Sequence, residues 1–249
     1  MPDGLLPISL LPSIPYTDID MAPQSLSLLE KSIHLSFSNK DLLAQALTHR
    51  SATGKAHLHK HNERMEFLGD AVLELVATEY LFSFEGKSEG ELTNWRAALV
   101  NGKQLAVVAR ELKLGDYLFM SRGEEASGGR DKESTLANTL EALIGGIYLD
   151  QGFEAARTFC FDHILQRLGE LLKAGKHRDF KSLFQEKSQE ILGITPRYEV
   201  IDERGPDHAK IFTCAVFIGD EQVTQGSGAS KQEAEQAAAE AGLRMKKWK

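Results

Sequence analysis

The chain has 249 residues, of which 42% are hydrophobic and 26% are charged, and its formal net charge at pH 7 is −7. These values are typical of a globular protein with one or two domains, and they exclude collagen-like, disordered and disulfide-scaffold proteins. Binding of polyanions by bulk charge requires a basic domain, so the negative charge leaves only local clusters for that purpose.

The N-terminal segment lacks the features of a targeting signal. It contains five prolines and no Lys or Arg before Lys31, whereas a signal peptide has a basic start and an unbroken apolar stretch. We therefore interpret residues 1–25 as a disordered tail. No segment approaches the roughly 18 apolar residues of a membrane span, and Cys160 and Cys214 have no metal-ligand spacing. We expect a cytoplasmic protein without membrane contact.

Helical periodicity dominates the chain up to residue 178. Asn39 is placed to cap a helix that ends near Leu47. Ser88 and Glu91 predict a capping box that opens one helix continuing through Val108. Further helices are predicted over residues 62–82, 134–147 and 153–173, and the first of them has an apolar stripe formed by Met65, Leu68, Val72, Leu75 and Val76. Without strand-like alternation, this region is predicted to be an all-α domain.

The pattern changes after residue 178. A helix from Asp179 is followed by strand-like segments, of which Phe212–Ile218 has the clearest alternation of apolar side chains. Ser230 and Glu233 then predict a second capping box, which opens a helix with a small-residue face. The order α-β-β-β-α is that of a small α+β domain. The predicted division is 26–152 for the main helical domain, 153–178 for its terminal helix and linker, and 179–249 for the small domain.

Three carboxylates share one face of the helix predicted over residues 62–82. Glu63, Glu66 and Asp70 are separated by three and then four residues, so solvent, a basic partner or a cation must offset their repulsion. A solvated acidic surface would have the same spacing. Gly69 favours a functional site, because a glycine inside a helix costs about 1 kcal/mol relative to alanine. A close backbone approach would explain its presence.

The helix predicted from Ser134 adds two oxygen ligands. Asn138 and Glu141 are three residues apart and precede a pair of adjacent glycines. With Glu66 and Asp70, they supply the carboxylate and amide oxygens that Mg²⁺ prefers. Such a site hydrolyses phosphodiesters by activating water. The sequence therefore predicts a Mg²⁺ site, in which Mn²⁺ can substitute, and no small-molecule cofactor.

Three separate patches of the small domain are placed to contact a nucleic-acid duplex. Gln185 and Glu186 lie on its first helix, His208 lies in a loop between strands, and Lys231 begins its last helix. Such patches can meet two minor grooves and the phosphates between them. Residues 179–249 contain 10 Lys and Arg against 12 Asp and Glu, a net charge of −2. Binding must therefore depend on shape and a few contacts.

Both regions resemble one known family. Residues 62–73 (Asn-Glu-Arg-Met-Glu-Phe-Leu-Gly-Asp-Ala-Val-Leu) are similar to the signature of ribonuclease III, and residues 135–150 resemble its second acidic motif. Residues 179–249 resemble the double-stranded RNA-binding domain. The resemblance covers nearly the whole chain after the N-terminal tail, and the two parts in this order are typical of the bacterial-type enzyme.

The resemblance implies a homodimeric endonuclease in which each subunit cuts one strand of double-stranded RNA. The products would carry 5′-phosphates and two-nucleotide 3′ overhangs. The resemblance further implies that Asp70 and Glu141 are catalytic carboxylates that bind Mg²⁺ together with Glu66, and that Glu63 and Glu89 are auxiliary acidic residues near the scissile strand. The residues of the three patches match RNA-contacting positions. The family's usual roles are the processing of ribosomal, messenger and transfer RNA transcripts in the cytoplasm.

Two positions depart from the family pattern. Asn138 stands where Asp is more common, which removes a negative charge and should weaken metal binding. Gln232 follows Lys231 where a second basic residue is common, which removes a phosphate contact. Asn138 keeps open the alternative of a duplex-RNA-binding regulator with weakened or lost cleavage. A ribosome-associated structural protein that reuses the nuclease fold is a second alternative.

Overall fold

The computed structural model describes residues 25–52, 60–175, 179–206 and 210–248. The tail predicted for residues 1–25 lies outside these ranges except for its last residue. The chain divides into two compact units, residues 1–177 and residues 178–249. In the described ranges, no helix combines the length and the apolar character needed to cross a membrane.

The described part of the first unit is built of helices without a sheet, which confirms the predicted all-α domain. An isolated bridge between Thr48 and Phe119 is its one strand-like contact in these residues. Short 3₁₀ helices cover Arg50–Ala52, Leu114–Tyr117, Gly129–Asp131 and Leu165–Arg167. The α-helices are α1 (Leu26–Ser32), α2 (Lys40–Ala46), α3 (Glu63–Phe82), α4 (Glu89–Val100), α5 (Gly102–Glu111), α6 (Arg122–Ala126), α7 (Glu133–Gln151), α8 (Phe153–His163) and α9 (Leu168–Lys173).

The two longest helices, α3 and α7, form the most extensive helix–helix contact of this unit. A Cβ added to Gly69 of α3 would lie 1.8 Å from the carbonyl oxygen of Glu141, and one added to Gly145 of α7 would lie 2.3 Å from that of Met65. No side chain fits at such distances, so glycine is required where the two backbones meet. The close approach predicted at Gly69 is confirmed.

Two predicted helices are each broken in the structure. The helix that begins with the Ser88 capping box ends before Asn101, whose backbone is extended and whose side chain accepts a hydrogen bond from the first turn of α5. The segment from residue 153 to residue 173 is interrupted at Ile164, where a short 3₁₀ helix begins, and Ile164 and Leu165 are both buried in the core. The two pieces, α8 and α9, contribute to the same core as the helices before residue 152.

Helix α3 has large apolar side chains on its outer face as well as on its inner face. The spacing of Leu75 predicts a place on the buried stripe, but its side chain is 58% exposed. It shares the outer face with Phe67 and Phe82, which are 81% and 82% exposed, because intervals of eight and seven residues return to the same side of a helix. We call Phe67, Leu75 and Phe82 the outer stripe of α3.

The second unit has the predicted α-β-β-β-α order. Its elements are α10 (Phe180–Leu192), β1 (Arg197–Arg204), β2 (Ile211–Ile218), β3 (Glu221–Gly228) and α11 (Lys231–Lys246). The strands form an antiparallel sheet in the order β1-β2-β3, in which Val216 of the central strand pairs with Tyr198 and Thr224. Phe184 of α10 is fully buried against α11 and the sheet, with its ring 5.2 Å from that of Trp248.

Small residues allow α11 to lie directly on the sheet, as its sequence predicts. A Cβ added to Gly226 of β3 would lie 2.2 Å from the backbone nitrogen of Ala238. Ser230 caps α11 by accepting a hydrogen bond from the backbone of Glu233, whose carboxylate accepts from the N–H of Ala229. The capping interaction at Ser230 is therefore present, but the reciprocal half of the predicted box is displaced by one residue.

Candidate active site

The contact between α3 and α7 brings the four predicted metal ligands together. Glu66 and Asp70 flank Gly69 on α3, and Asn138 and Glu141 lie on the facing turn of α7. Asp70 and Glu66 both act electrostatically on Glu141, and the side chain of Asn138 hydrogen-bonds to the Glu66 carboxylate. We call these four residues the acidic cluster.

Two carboxylates of the acidic cluster, Glu141 and Glu66, have raised pKa values. Burial, reinforced by the charges of Asp70 and Glu66, raises the pKa of Glu141 to about 7. Burial and the charge of Glu63 also raise the pKa of Glu66, although the hydrogen bond with Asn138 opposes this increase. Among the described residues, Arg50 attracts the Glu66 carboxylate and opposes the increase in its pKa, whereas the pKa of Glu141 is raised by two neighbouring carboxylates. Carboxylates that repel one another in this way are suited to a bound cation.

The donors of the acidic cluster are all oxygens, which fits Mg²⁺ or Mn²⁺. In the part of the chain that the structure describes, no three His, Cys, Asp or Glu side chains form a metal-binding group by themselves. The amide oxygen of Asn138 and water molecules would have to complete the coordination. This suits Mg²⁺, which commonly keeps several of its waters and takes few ligands from the protein.

A cleft of about 440 Å³ adjoins the acidic cluster. Glu66 and Asn138 line the cleft and also belong to the cluster, so the two are continuous. The charged or titratable residues that line it are His49, Arg50, Glu63, Glu66, Glu124 and Lys132. No sequence pattern indicates His49, Arg50, Glu124 or Lys132, because they lie in turns and at helix starts, where no periodic spacing relates them.

The two auxiliary acidic residues lie in different places. Glu63 lines the cleft, where its carboxylate lies 3.5 Å from Arg50 and 3.6 Å from His61. Glu89 is exposed at the start of α4, where it accepts a hydrogen bond of 3.3 Å from Thr93. Glu89 neither lines the cleft nor affects the pKa of Glu66 or Glu141. A single chain therefore brings Glu63, but not Glu89, to the site.

Three of the four predicted RNA-contacting residues lie in the described part of the second unit. Gln185 and Glu186 are exposed on α10 and line a shallow depression. Lys231 begins α11, and its Nζ lies 3.8 Å from a carboxylate oxygen of Glu203 and 5.8 Å from the ring centre of Phe212. The fourth, His208, belongs to the connection between β1 and β2 and lies outside the described residues.

Comparison with known proteins identifies a matching family for each of the two units. A family described as Ribonuclease-III-like matches residues 39–168, and the double-stranded RNA binding motif matches residues 180–246. Ribonuclease 3 of Campylobacter fetus subsp. fetus is 43% identical over 215 residues, which cover 86% of this chain and 95% of that protein. Ribonuclease 3 of Caldanaerobacter subterraneus subsp. tengcongensis is 46% identical over 218 residues, with the same coverage of 86% and 95%.

Solved structures resemble the first unit. The nuclease domain of ribonuclease III from Campylobacter jejuni, described for structural flexibility in a region involved in dimer formation, is 48% identical with a TM-score of 0.53. The match covers 57% of this chain and 97% of that domain. A second structure of that domain is 45% identical, with a TM-score of 0.52 and coverage of 58% and 96%. The chain therefore belongs to the ribonuclease III family and is an endoribonuclease of that type.

Proposed function

We propose that this endoribonuclease is Mg²⁺-dependent and hydrolyses both strands of double-stranded RNA. The observation that carries the proposal is the acidic cluster beside an open cleft, in a chain that also has a double-stranded RNA-binding domain. Bound Mg²⁺, or Mn²⁺ in its place, would activate water and stabilise charge on the leaving oxygen. The products would carry 5′-phosphates and two-nucleotide 3′ overhangs.

The residues of the acidic cluster have distinct roles in this proposal. Glu66 and Asn138 would bind the metal, and Asp70 and Glu141 would bind it and act as the catalytic carboxylates. Without metal, burial and the charges of Asp70 and Glu66 raise the pKa of the Glu141 carboxylate to about 7, and a bound cation would offset this accumulation of negative charge. The burial of Glu141 beside α3 also limits the access of bulk water to that carboxylate.

The outer stripe of α3 supports a homodimer with one site in each subunit. Phe67 and Phe82 are more than four-fifths exposed, and large apolar side chains aligned in this way are typical of an interaction surface. Such a stripe can pair with its own copy across a two-fold axis, as in most homodimers. The related domain from Campylobacter jejuni is described with a region involved in dimer formation.

The second unit would hold the duplex through its three patches. Gln185 and Glu186 on α10 are exposed for one minor groove, His208 would meet the next one, and Lys231 would meet the phosphates between them. In the cell, we propose cytoplasmic processing of ribosomal RNA precursors and of structured messenger and transfer RNA transcripts. Glu63 and Glu89 would lie near the scissile strand, Glu89 only in the assembled dimer.

Cleavage of a labelled, perfectly paired RNA tests this function. A duplex of about 30 base pairs exceeds the roughly 16 that one binding domain spans. We expect cleavage with Mg²⁺ and none with EDTA, and products with two-nucleotide 3′ overhangs. Glu141→Gln should still bind the duplex but leave it uncut. Full activity of that variant would contradict the assignment of the site.

Asn138 gives the regulator alternative its specific support, because the acidic cluster contains an amide where the family more often has a carboxylate. Asn138→Asp is therefore measured beside the natural chain. Retained duplex binding without cleavage, together with activity that is present only in Asn138→Asp, would establish an RNA-binding regulator and overturn the nuclease proposal. Cleavage by the natural chain would overturn the alternative.

A further inference from the structure

The ring of His49 is held in one orientation at the wall of the cleft. The backbone N–H of His49 donates to the carbonyl oxygen of Phe119 at 2.9 Å. Ring atom Nδ1 accepts from the backbone N–H of Ser51 at 3.2 Å and lies 2.8 Å from the Ser51 hydroxyl. That hydroxyl in turn accepts from the backbone N–H of Ser121 at 3.1 Å. Contacts from two separate segments therefore fix the ring.

These contacts determine which ring nitrogen carries the proton. A backbone N–H only donates, so Nδ1 must be an acceptor and the neutral ring carries its proton on Nε2. Burial lowers the pKa of His49, with Glu124 and Glu63 opposing the decrease and Arg50 and Lys132 adding to it. The ring is thus neutral near pH 7. Within the described residues, Nε2 has no hydrogen-bond partner.

Because carboxylates predominate in the cleft, a phosphate there needs a hydrogen-bond donor at a defined position. Arg50 and Lys132 are outnumbered by the carboxylates of Glu63, Glu66 and Glu124, so the lining does not attract a phosphate by bulk charge. A neutral N–H group can still donate to a phosphate oxygen, and a hydrogen bond to a charged group is stronger than one between neutral groups.

We propose that the cleft receives the nucleotide next to the scissile phosphate and that Nε2–H of His49 donates to a non-bridging phosphate oxygen of that nucleotide. The proposal rests on the proposed function, since Glu66 and Asn138 connect the cleft with the acidic cluster. His49 is then a substrate-positioning residue that sets the register of the strand relative to the cluster.

Two substitutions separate the donor from the structural role of His49. His49→Gln places an amide N–H near the position of Nε2, so it preserves the donor. His49→Asn places an amide oxygen near the position of Nδ1, where it can still accept from Ser51, but its side chain does not reach the position of Nε2. We expect His49→Asn to lower kcat/KM about tenfold and His49→Gln to remain near the natural chain.

RNA duplexes with a single methylphosphonate at successive positions around the scissile bond identify the contacted phosphate. At one position, the methylphosphonate should lower kcat/KM about tenfold for the natural chain and for His49→Gln. The same modification should have no further effect on His49→Asn, because the contact is already lost. The full chain is used throughout, and thermal unfolding confirms that all variants are folded.

The same set of duplexes and variants is also measured for equilibrium binding in EDTA, which does not depend on cleavage. If the methylphosphonate and the His49→Asn substitution act independently at every position, so that their effects on kcat/KM or on binding multiply, the proposed role of His49 is overturned. An equal loss in His49→Gln and His49→Asn would also overturn it, since the donor would then be irrelevant. If the natural chain cleaves no unmodified duplex, the proposed function fails, and the binding measurements still decide whether His49 contacts a phosphate.

Discussion

Glu141 lowers the stability of the fold at the same position where it has a proposed catalytic role. Its carboxylate is half-buried beside Asp70 and Glu66, and burial together with those charges disfavours ionisation. A protein selected for stability alone would place an apolar side chain at this contact of two helices. Groups with strongly shifted pKa values concentrate at functional sites for this reason.

The pKa of Glu141 predicts how stability depends on pH in the absence of metal. Its folded-state pKa of about 7 exceeds the ordinary value of 4.5, so the folded state binds more protons between these values and loses stability as the pH rises through them. Glu141→Gln removes this loss. We expect the variant to unfold at a higher temperature than the natural chain in EDTA near pH 8.

The same comparison near pH 4.5 should show little of that gain, because the folded carboxylate is then protonated in the natural chain. Glu85→Gln, at an exposed carboxylate in the turn after α3, is the matched control and should change neither result. An equal gain for Glu141→Gln at both pH values would show that the charge of Glu141 does not destabilise the fold.

At the scale of elements, the direct contact of α3 with α7 holds the active site together. Each helix carries one half of the acidic cluster next to a glycine at which the two backbones meet. Glycine loses more backbone conformational entropy in a helix than other residues do, so Gly69 and Gly145 lower the intrinsic stability of both helices. Close packing at these glycines compensates for that weakness and sets the distance between the two halves of the site.

Gly69→Ala should separate the two helices. The added Cβ would lie 1.8 Å from a backbone oxygen that cannot move aside like a flexible side chain, and overpacking of this kind costs about 1–3 kcal/mol or more. We expect a lower free energy of unfolding in denaturant titrations and a loss of cleavage that is larger than the loss of duplex binding.

Gly90→Ala is the matched control, since Gly90 lies in helix α4 and an added Cβ there would meet no atom within 4 Å. That substitution should leave stability unchanged or raise it by up to about 1 kcal/mol through helix propensity. Equal stabilities of Gly69→Ala and the natural chain would contradict the close contact of α3 with α7.

At the scale of the whole molecule, the outer stripe of α3 predicts self-association. Leu75→Asp places a charge at the middle of the stripe, and we expect it to convert a dimer into a monomer in sedimentation velocity. The fold of each subunit should persist, because Leu75 is 58% exposed. Leu28→Asp on α1, where the side chain is 49% exposed, is the control and should remain dimeric.

The division into two units predicts separate contributions to binding and cleavage. Of the net charge of −7, −2 lies in residues 179–249 and the remaining −5 precedes them, so we expect each unit to bind RNA through specific contacts rather than through bulk charge. Deletion of residues 179–249 should leave a dimer that cuts duplex RNA slowly at low salt. Binding should weaken most at moderate salt, where fewer phosphate contacts remain effective.

A monomeric truncated protein with full activity would contradict cleavage by paired subunits.

The amino-acid sequence by itself determined the features that depend on neighbours along the chain. The spacing of Glu63, Glu66 and Asp70 places them on one helix face wherever that helix lies. The caps at Asn39, Ser88 and Ser230 form as predicted because a cap joins residues only two or three positions apart. The α-β-β-β-α order of the second unit follows from such local patterns.

Only the tertiary structure decided the features that depend on which distant segments meet. Leu75 has the spacing of a core residue, yet it is exposed because, within the described ranges, no other element covers that side of α3. The segment predicted as one helix over residues 153–173 is interrupted at Ile164, and Ile164 and Leu165 are both buried in a core that distant helices complete. His49 and Lys132 are more than 80 residues apart and share a cleft through contacts that no local periodicity encodes.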